Sequence, residues 1–183
     1  MKTISEPQLK KLVEAAIFVA EKPLSPQNIK QILLADYKVT KKRIIAVIET
    51  LQLEYQERGI ELVQVASGYR FQAKSNLSED LAVLFKERAP RYSRALLETL
   101  SLIAYKQPIT RGEIEQIRGV AVSSNIMKTL TERDWIKIIG HKEVPGKPAI
   151  YATTDDFLDY FSLKKLTELP QLLSLTQSEE LIT

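Results

Sequence analysis

Apolar side chains recur along this chain in two rhythms, one near 3.6 residues and one near 2, and the same succession of rhythms occurs twice. The first pass opens with a helix-spaced stretch from Gln8 to Ala20 and the second with one from Arg94 to Lys106. Further along each pass a helical projection gives an inward stripe: Ile44, Ile48, Leu51 and Tyr55 in the first, Val122, Ile126, Met127 and Leu130 in the second. Alternating segments then follow, "GIELVQVASGYRFQA" and "WIKIIGHKEVPGKPAIYAT", each of which predicts a pair of short strands.

Residues between these stretches supply the punctuation. Thr110 can cap a helix while Glu113, three residues on, reaches back to the cap amide, and Ser25 followed by Pro26 is another good helix start. Gly119 stands just past the apolar pair Ile114 and Ile117, where a left-handed residue ends a helix. Pro145 and Gly146 suit the centre of a type II turn, which predicts a hairpin from Ile136–Gly140 to Ala149–Thr153. A short helix is expected at about Ser78 to Phe85, and another after Thr153 or Thr154, with Asp155, Asp156 and Asp159 toward its positive end and Phe157, Leu158 and Phe161 packed inward.

The two passes are an internal repeat. "PLSPQNIKQI" from Pro23 matches "PITRGEIEQI" from Pro108, pairing Ser25 with Thr110, Ile29 with Ile114 and Ile32 with Ile117 at a separation of 85 residues. "VTKKRIIAVIETL" from Val39 and "VSSNIMKTLTERD" from Val122 keep step at 83, because the second copy has the shorter turn. Three helices and a two-stranded hairpin make a winged helix. The predicted fold class is therefore mainly α with small β-hairpins (α+β), as two tandem winged-helix domains. Residues 1–88 form the first and 89–165 the second, with a linker near "KERAPRYS", and residues 166–183 form a weakly ordered tail.

Composition narrows what such a chain does. With 183 residues, 44% of them hydrophobic, it can bury a real core. The net charge of +3 is mild and evenly spread, 14 basic and 11 acidic residues up to position 90 and 12 of each after it, so neither half is a basic module for gripping phosphate. Absence of cysteine excludes a disulfide framework, a thiolate zinc site and a cysteine nucleophile. His141 is the single histidine, and the glycines stand apart from one another, so neither a histidine-centred relay nor a phosphate-cradling loop is available. No enzyme, metal or cofactor is expected. The apolar stretch near the amino terminus is interrupted by Glu14 and ended by Glu21 and Lys22, which predicts an amphipathic helix of a cytoplasmic protein.

The exposed faces of the second helices bear on the partner. Ser124, Asn125, Lys128, Thr131 and Glu132 face outward in one copy; Lys42, Arg43, Glu49, Leu53, Glu54 and Glu57 do so in the other, whose carboxylates would repel phosphate. Leu53, with Ile45 and Val47 at the edges, gives that helix more apolar surface than one small core requires, and these three are the candidate self-association residues. Tyr92 beside Arg91 and Arg94 suits an acidic or aromatic partner segment. Lys147 lies in the wing turn. The alternative use of this fold is a tandem winged-helix DNA-binding transcriptional regulator.

"AYKQPITRGEIEQIRG", "SSNI", "PGKPAIYATT" and "FLDYF" together resemble the segregation and condensation protein B family. The resemblance runs from Arg91 to Pro170 and continues, more weakly, back to about Leu9. It implies a homodimer formed largely through the first domain, which binds an extended region of the kleisin subunit (segregation and condensation protein A) and through it the SMC protein. The second domain is then a main contributor to kleisin binding. Such a complex acts in chromosome condensation and partitioning, in the cytoplasm and on the nucleoid, with DNA binding at most weak and nonspecific. Lys147 stands where many members have arginine. Tyr92, Arg94, Arg118 and Lys147 match family motifs and are the candidate kleisin contacts.

Overall fold

A computed structural model describes residues 2–84 and 92–171. The linker at 85–91 and the tail beyond 171 lie outside the described residues. In the first half, α1 (Glu6–Val19), α2 (Pro26–Asn28, continuing into a π-helical turn over Ile29–Leu33) and α3 (Lys41–Glu54) precede the hairpin of β1 (Ile60–Val65) and β2 (Gly68–Ala73). A 3-10 turn at Ser75–Leu77 leads into α4 (Ser78–Ala82). The second half repeats the order with α5 (Arg94–Lys106), β3 (Ile109–Thr110), α6 (Arg111–Arg118), α7 (Ser124–Glu132), β4 (Ile136–His141) and β5 (Ala149–Thr153), then α8 (Asp155–Tyr160). This is a tandem of two winged helices.

Side-chain caps set where the helices begin. Ser5 and Gln8 form a reciprocal capping box at α1, and Thr110 and Glu113 form another at α6. Ser25, Thr40, Ser93, Ser123 and Thr154 each accept a hydrogen bond from the amide three residues on. Gly119 ends α6 in the left-handed conformation, with φ of 71°. The wing turn closes from Lys147 N–H to the Val144 carbonyl at 2.9 Å, with Gly146 at φ of 84° in its third position, as a type II turn requires.

Each winged helix has its own core. Leu9, Val13 and Ile17 of α1 meet Ile44, Val47, Ile48 and Leu51 of α3 in the first, joined by Ile29 and Leu62. Leu96, Leu100 and Ile103 of α5 meet Ile114, Val122, Met127 and Leu130 in the second, closed by Trp135, Ile136 and Phe157. The inward stripes expected for α3 and α7 lie inward, with Ile126 half-buried.

Three features differ from expectation. Ile109–Thr110 adds a short strand, so the second sheet has three strands in the order β3-β5-β4. In the first half the same place holds only a bridge from Leu24 to Tyr69, where the chains approach so closely that a Cβ on Gly68 would lie 2.3 Å from the Leu24 carbonyl carbon. Residues 166–171 are also more structured than a loose tail. Leu166–Glu168 form a 3-10 turn, Leu169 packs against the second core, and the Tyr105 hydroxyl donates to the Pro170 carbonyl at 2.6 Å. A β-bulge in β4 between Ile138 and Gly140 leaves Ile138 and Ile139 both exposed at the edge of the sheet.

Candidate partner-binding surfaces

The outer faces of α5 and α6 enclose an open groove of about 850 Å³, which brings together three of the four candidate contact residues, Tyr92, Arg94 and Arg118. Arg94 is at the first position of α5, its side chain 94% exposed, and its Nε donates to Glu98 Oε1 at 2.8 Å across one helical turn. Arg118, at the end of α6, reaches the other oxygen of the same carboxylate, Nη2 to Oε2 at 3.1 Å, with its side chain only 10% exposed. Its Nε is buried with no acceptor. Hydrogen bonds from Arg94 and then Arg118 hold the Glu98 carboxyl below its ordinary value. Leu97, Leu102 and Ile117 supply the apolar lining.

Tyr92 enters the groove from the far side of an aromatic cluster. Its ring packs edge-on to Trp135 at 5.2 Å, and the Arg133 guanidinium lies over both rings at 4.9 and 5.4 Å. Arg133 Nη1 also donates to the Tyr92 hydroxyl at 3.1 Å, which shares a second hydrogen bond of 3.1 Å with Tyr160. That second bond, reinforced by burial, pushes the Tyr160 hydroxyl above its ordinary value. Tyr92 is therefore held in one place. Lys147 is separate from this constellation. It is exposed on the wing turn with φ of 36° and does not line the groove.

Ile117 does not share the burial of its neighbour one turn earlier. It forms an apolar pair with Ile114, yet Ile114 is fully buried and Ile117 is 53% exposed. The equivalent residue of the first repeat behaves alike: Ile29 is buried and Ile32 is 79% exposed. An eight-residue helix has little more than two turns, and its single core contact uses the Ile114 side, so residue 117 rotates toward α5.

The dimer candidates divide. Leu53 is 65% exposed and Ile45 is half-buried, so both are within reach of a second surface. Val47 is not an edge residue: it is 3% exposed and belongs to the first core. Its spacing, three after Ile44 and four before Leu51, places it on the buried stripe.

Four cations near the two helix-turn-helix faces are paired, while Lys41 and Lys42 at the start of α3 are exposed outside these pairs. Lys10 meets Glu54 at 2.5 Å, Arg43 meets Glu6 at 2.7 Å, Lys128 meets Glu132 at 3.6 Å and Arg111 meets Glu115 at 3.0 Å. A phosphate backbone would have to displace these carboxylates. His141 is exposed at the end of β4. Among the described residues no helix is long and apolar enough to cross a membrane.

One functional-looking contact escaped the sequence reading. Asp159 is largely buried, and its Oδ1 accepts the Ser67 amide at 3.0 Å, from the tip of the first wing. The neighbouring Ala66 amide donates to the Leu163 carbonyl at 3.0 Å, and Arg70 Nη2 donates to Ser162 Oγ at 2.9 Å. Asp155 and Asp156 stand in the first turn of α8 as expected, but Asp159 lies beyond it between Leu158 and Tyr160, and that placement was the available signal.

Known proteins resemble the chain along nearly its whole length. The family model described as segregation and condensation complex subunit ScpB matches residues 11–172. A segregation and condensation protein B homolog of Coxiella burnetii is 48% identical over 178 residues, covering 97% of this chain and 85% of that protein. The crystal structure of ScpB from Mycobacterium tuberculosis is 27% identical, covers 87% of this chain and 98% of its own, and superposes with a TM-score of 0.40. A crystal structure described as a dimer of the ScpB N-terminal domain complexed with ScpA peptide is 31% identical, covers 44% of this chain and 94% of its own, and has a TM-score of 0.37. With a match from the first helix to the last described turn, and with the tandem winged helices that carry it, the chain belongs to the segregation and condensation complex subunit ScpB family.

Proposed function

We infer that the protein is a non-enzymatic accessory subunit of a bacterial SMC-kleisin complex, which binds the kleisin as a homodimer in chromosome condensation and segregation. The observation that carries this reading is the character of the two helix-turn-helix faces. Arg43 and Lys128 are paired with carboxylates and only Lys41 and Lys42 of α3 stand exposed outside those pairs, while Leu53 and Ile117 are exposed, a surface suited to protein rather than to phosphate. Membership of a family of complex subunits supports it.

In this reading residues 1–88 form the dimerising domain, with Leu53 and Ile45 at its contact, and residues 89–165 form the kleisin-binding domain. Tyr92, Arg94 and Arg118 meet the kleisin in the α5–α6 groove, and Lys147 adds a contact from the wing. The complex works in the cytoplasm on the nucleoid, and duplex DNA binds weakly and without sequence preference.

Light scattering on the full chain, alone and with the kleisin from the same genome, tests the reading. A dimer mass that moves to a defined larger complex is expected. A protein that ignores the kleisin and holds one duplex sequence at physiological salt, with a steep salt slope, would instead be a DNA-binding regulator.

A further inference from the structure

Helix α5 carries more apolar surface than its own core uses. Leu96, Leu100 and Ile103 fill the second core, Leu102 packs half-buried at its edge and also lines the groove, and Leu97 is exposed on the groove side. Ile117 faces them from α6. The exposure of Ile117 is no accident of one helix end, since the repeat keeps an exposed isoleucine at the equivalent Ile32. Three aliphatic side chains along an open groove between two helices fit the apolar stripe of a third helix.

The polar rim carries two arginines and one carboxylate. Arg94 and Arg118 converge on Glu98 from opposite helices, and this single acid takes both guanidinium groups. The balance is one positive charge in excess, and the Arg118 Nε in the groove wall still lacks an acceptor. Glu98 is itself exposed and can swing away by side-chain rotation. It thus occupies the place that an incoming carboxylate would take, and the depressed value of its carboxyl fits that arrangement.

We propose that the α5–α6 groove seats an amphipathic helical segment of the kleisin, its apolar stripe on Leu97, Leu102 and Ile117 and one of its carboxylates on Arg94 and Arg118, with Glu98 the placeholder that this carboxylate displaces. The proposal rests on the kleisin reading above and adds the shape of the segment, the sign of its charge and the role of Glu98. It makes Glu98 a brake on binding, since the side chain competes with the partner for the same cations.

The experiment measures affinity of the full chain and its variants for the full-length kleisin by isothermal titration calorimetry, after melting curves show each variant folded. All three substituted positions, Arg94, Glu98 and Ile117, are exposed, so folding is expected to survive. Ile117→Asp is expected to weaken binding about tenfold or more, and Glu98→Gln to tighten it about threefold or more. Arg94→Glu should weaken binding, and the gain from Glu98→Gln should disappear in that background. If Ile117→Asp stays within about twofold of the parent, the groove is not the seat. If Glu98→Gln leaves the affinity unchanged or lowers it, Glu98 is not a placeholder and the proposal fails, while kleisin binding elsewhere on the chain stands. A parent chain with no affinity for the kleisin would overturn both readings at once.

Discussion

The carboxylate of Asp159 accepts a hydrogen bond at 3.0 Å from the backbone amide of Ser67, 92 residues earlier in the chain. Together with the Ala66 amide on the Leu163 carbonyl, it satisfies both amides of the first wing's two-residue turn with groups from the second half. Backbone amides at a hairpin tip ordinarily face water, so these two bonds tie one winged helix to the other.

Removing that acceptor should be felt in stability. Asp159→Ala leaves the Ser67 amide without a partner in a largely buried place, which costs about 1–3 kcal/mol. Asp156, exposed and 3.8 Å from Lys22, is the control, and Asp156→Asn should change stability by less than about 0.5 kcal/mol. Urea unfolding measures both, and hydrogen exchange at Ser67 should quicken only in Asp159→Ala.

Gly68 tolerates no side chain. A Cβ there would lie 2.3 Å from the Leu24 carbonyl carbon and 2.4 Å from Ser25 N, and φ is already 151°. Because the obstruction is backbone, Gly68→Ala should cost at least about 2 kcal/mol, by analogy with other strained-backbone and overpacked sites. Gly112, in α6 with no heavy atom within 4 Å of its added Cβ, should behave oppositely, Gly112→Ala being neutral or stabilising by up to about 1 kcal/mol. Thermal melts of the two variants separate these outcomes.

Acid should weaken the second winged helix through Glu113. A hydrogen bond from Lys142 at 2.6 Å, then those from the Thr110 amide and hydroxyl at 2.8 Å each, lower its carboxyl from the ordinary 4.5 to about 2. A carboxyl that is more acidic when folded stabilises the fold fully above the unfolded value and loses that contribution as pH falls from about 4.5 toward about 2. The stability gap between the parent and Glu113→Gln is therefore expected to be widest above pH 4.5 and to close through that window, as urea midpoints against pH will show. A gap independent of pH would mean the ionised carboxylate is not responsible.

Two positions on α3 should separate assembly from folding. Leu53→Asp lies on the exposed side and should halve the mass seen by light scattering while leaving the melt within a few degrees of the parent, about what a change under 0.5 kcal/mol gives. Val47→Asp buries an unpaired charge in the first core and should unfold it, at about 3 kcal/mol or more. A Leu53→Asp protein that stays dimeric places the contact elsewhere.

The plan of the molecule was legible in its sequence because the elements are amphipathic and capped by side chains close in sequence. Ile44, Ile48 and Leu51 could only lie on one face, and Thr110 with Glu113 marks a helix start without reference to anything distant. Other features depended on contacts that local spacing does not carry. Ile117 follows Ile114 by three residues, which suits a shared face, and only the position of α5 decides that it faces the groove. Asp159 reads as one more acid on a short helix until the first wing arrives beside it. Val47 is a different case, because the stripe of Ile44 and Leu51 already included it.

The bulge in β4 sets how this protein meets its neighbours in a crowded cell. An edge strand with Ile138 and Ile139 exposed would invite a second molecule to extend the sheet, and then a third, which is how fibrils grow. The extra residue between Ile138 and Gly140 breaks the regular spacing that such templating needs. The wing can therefore carry exposed aliphatic side chains while remaining a poor seed for aggregation.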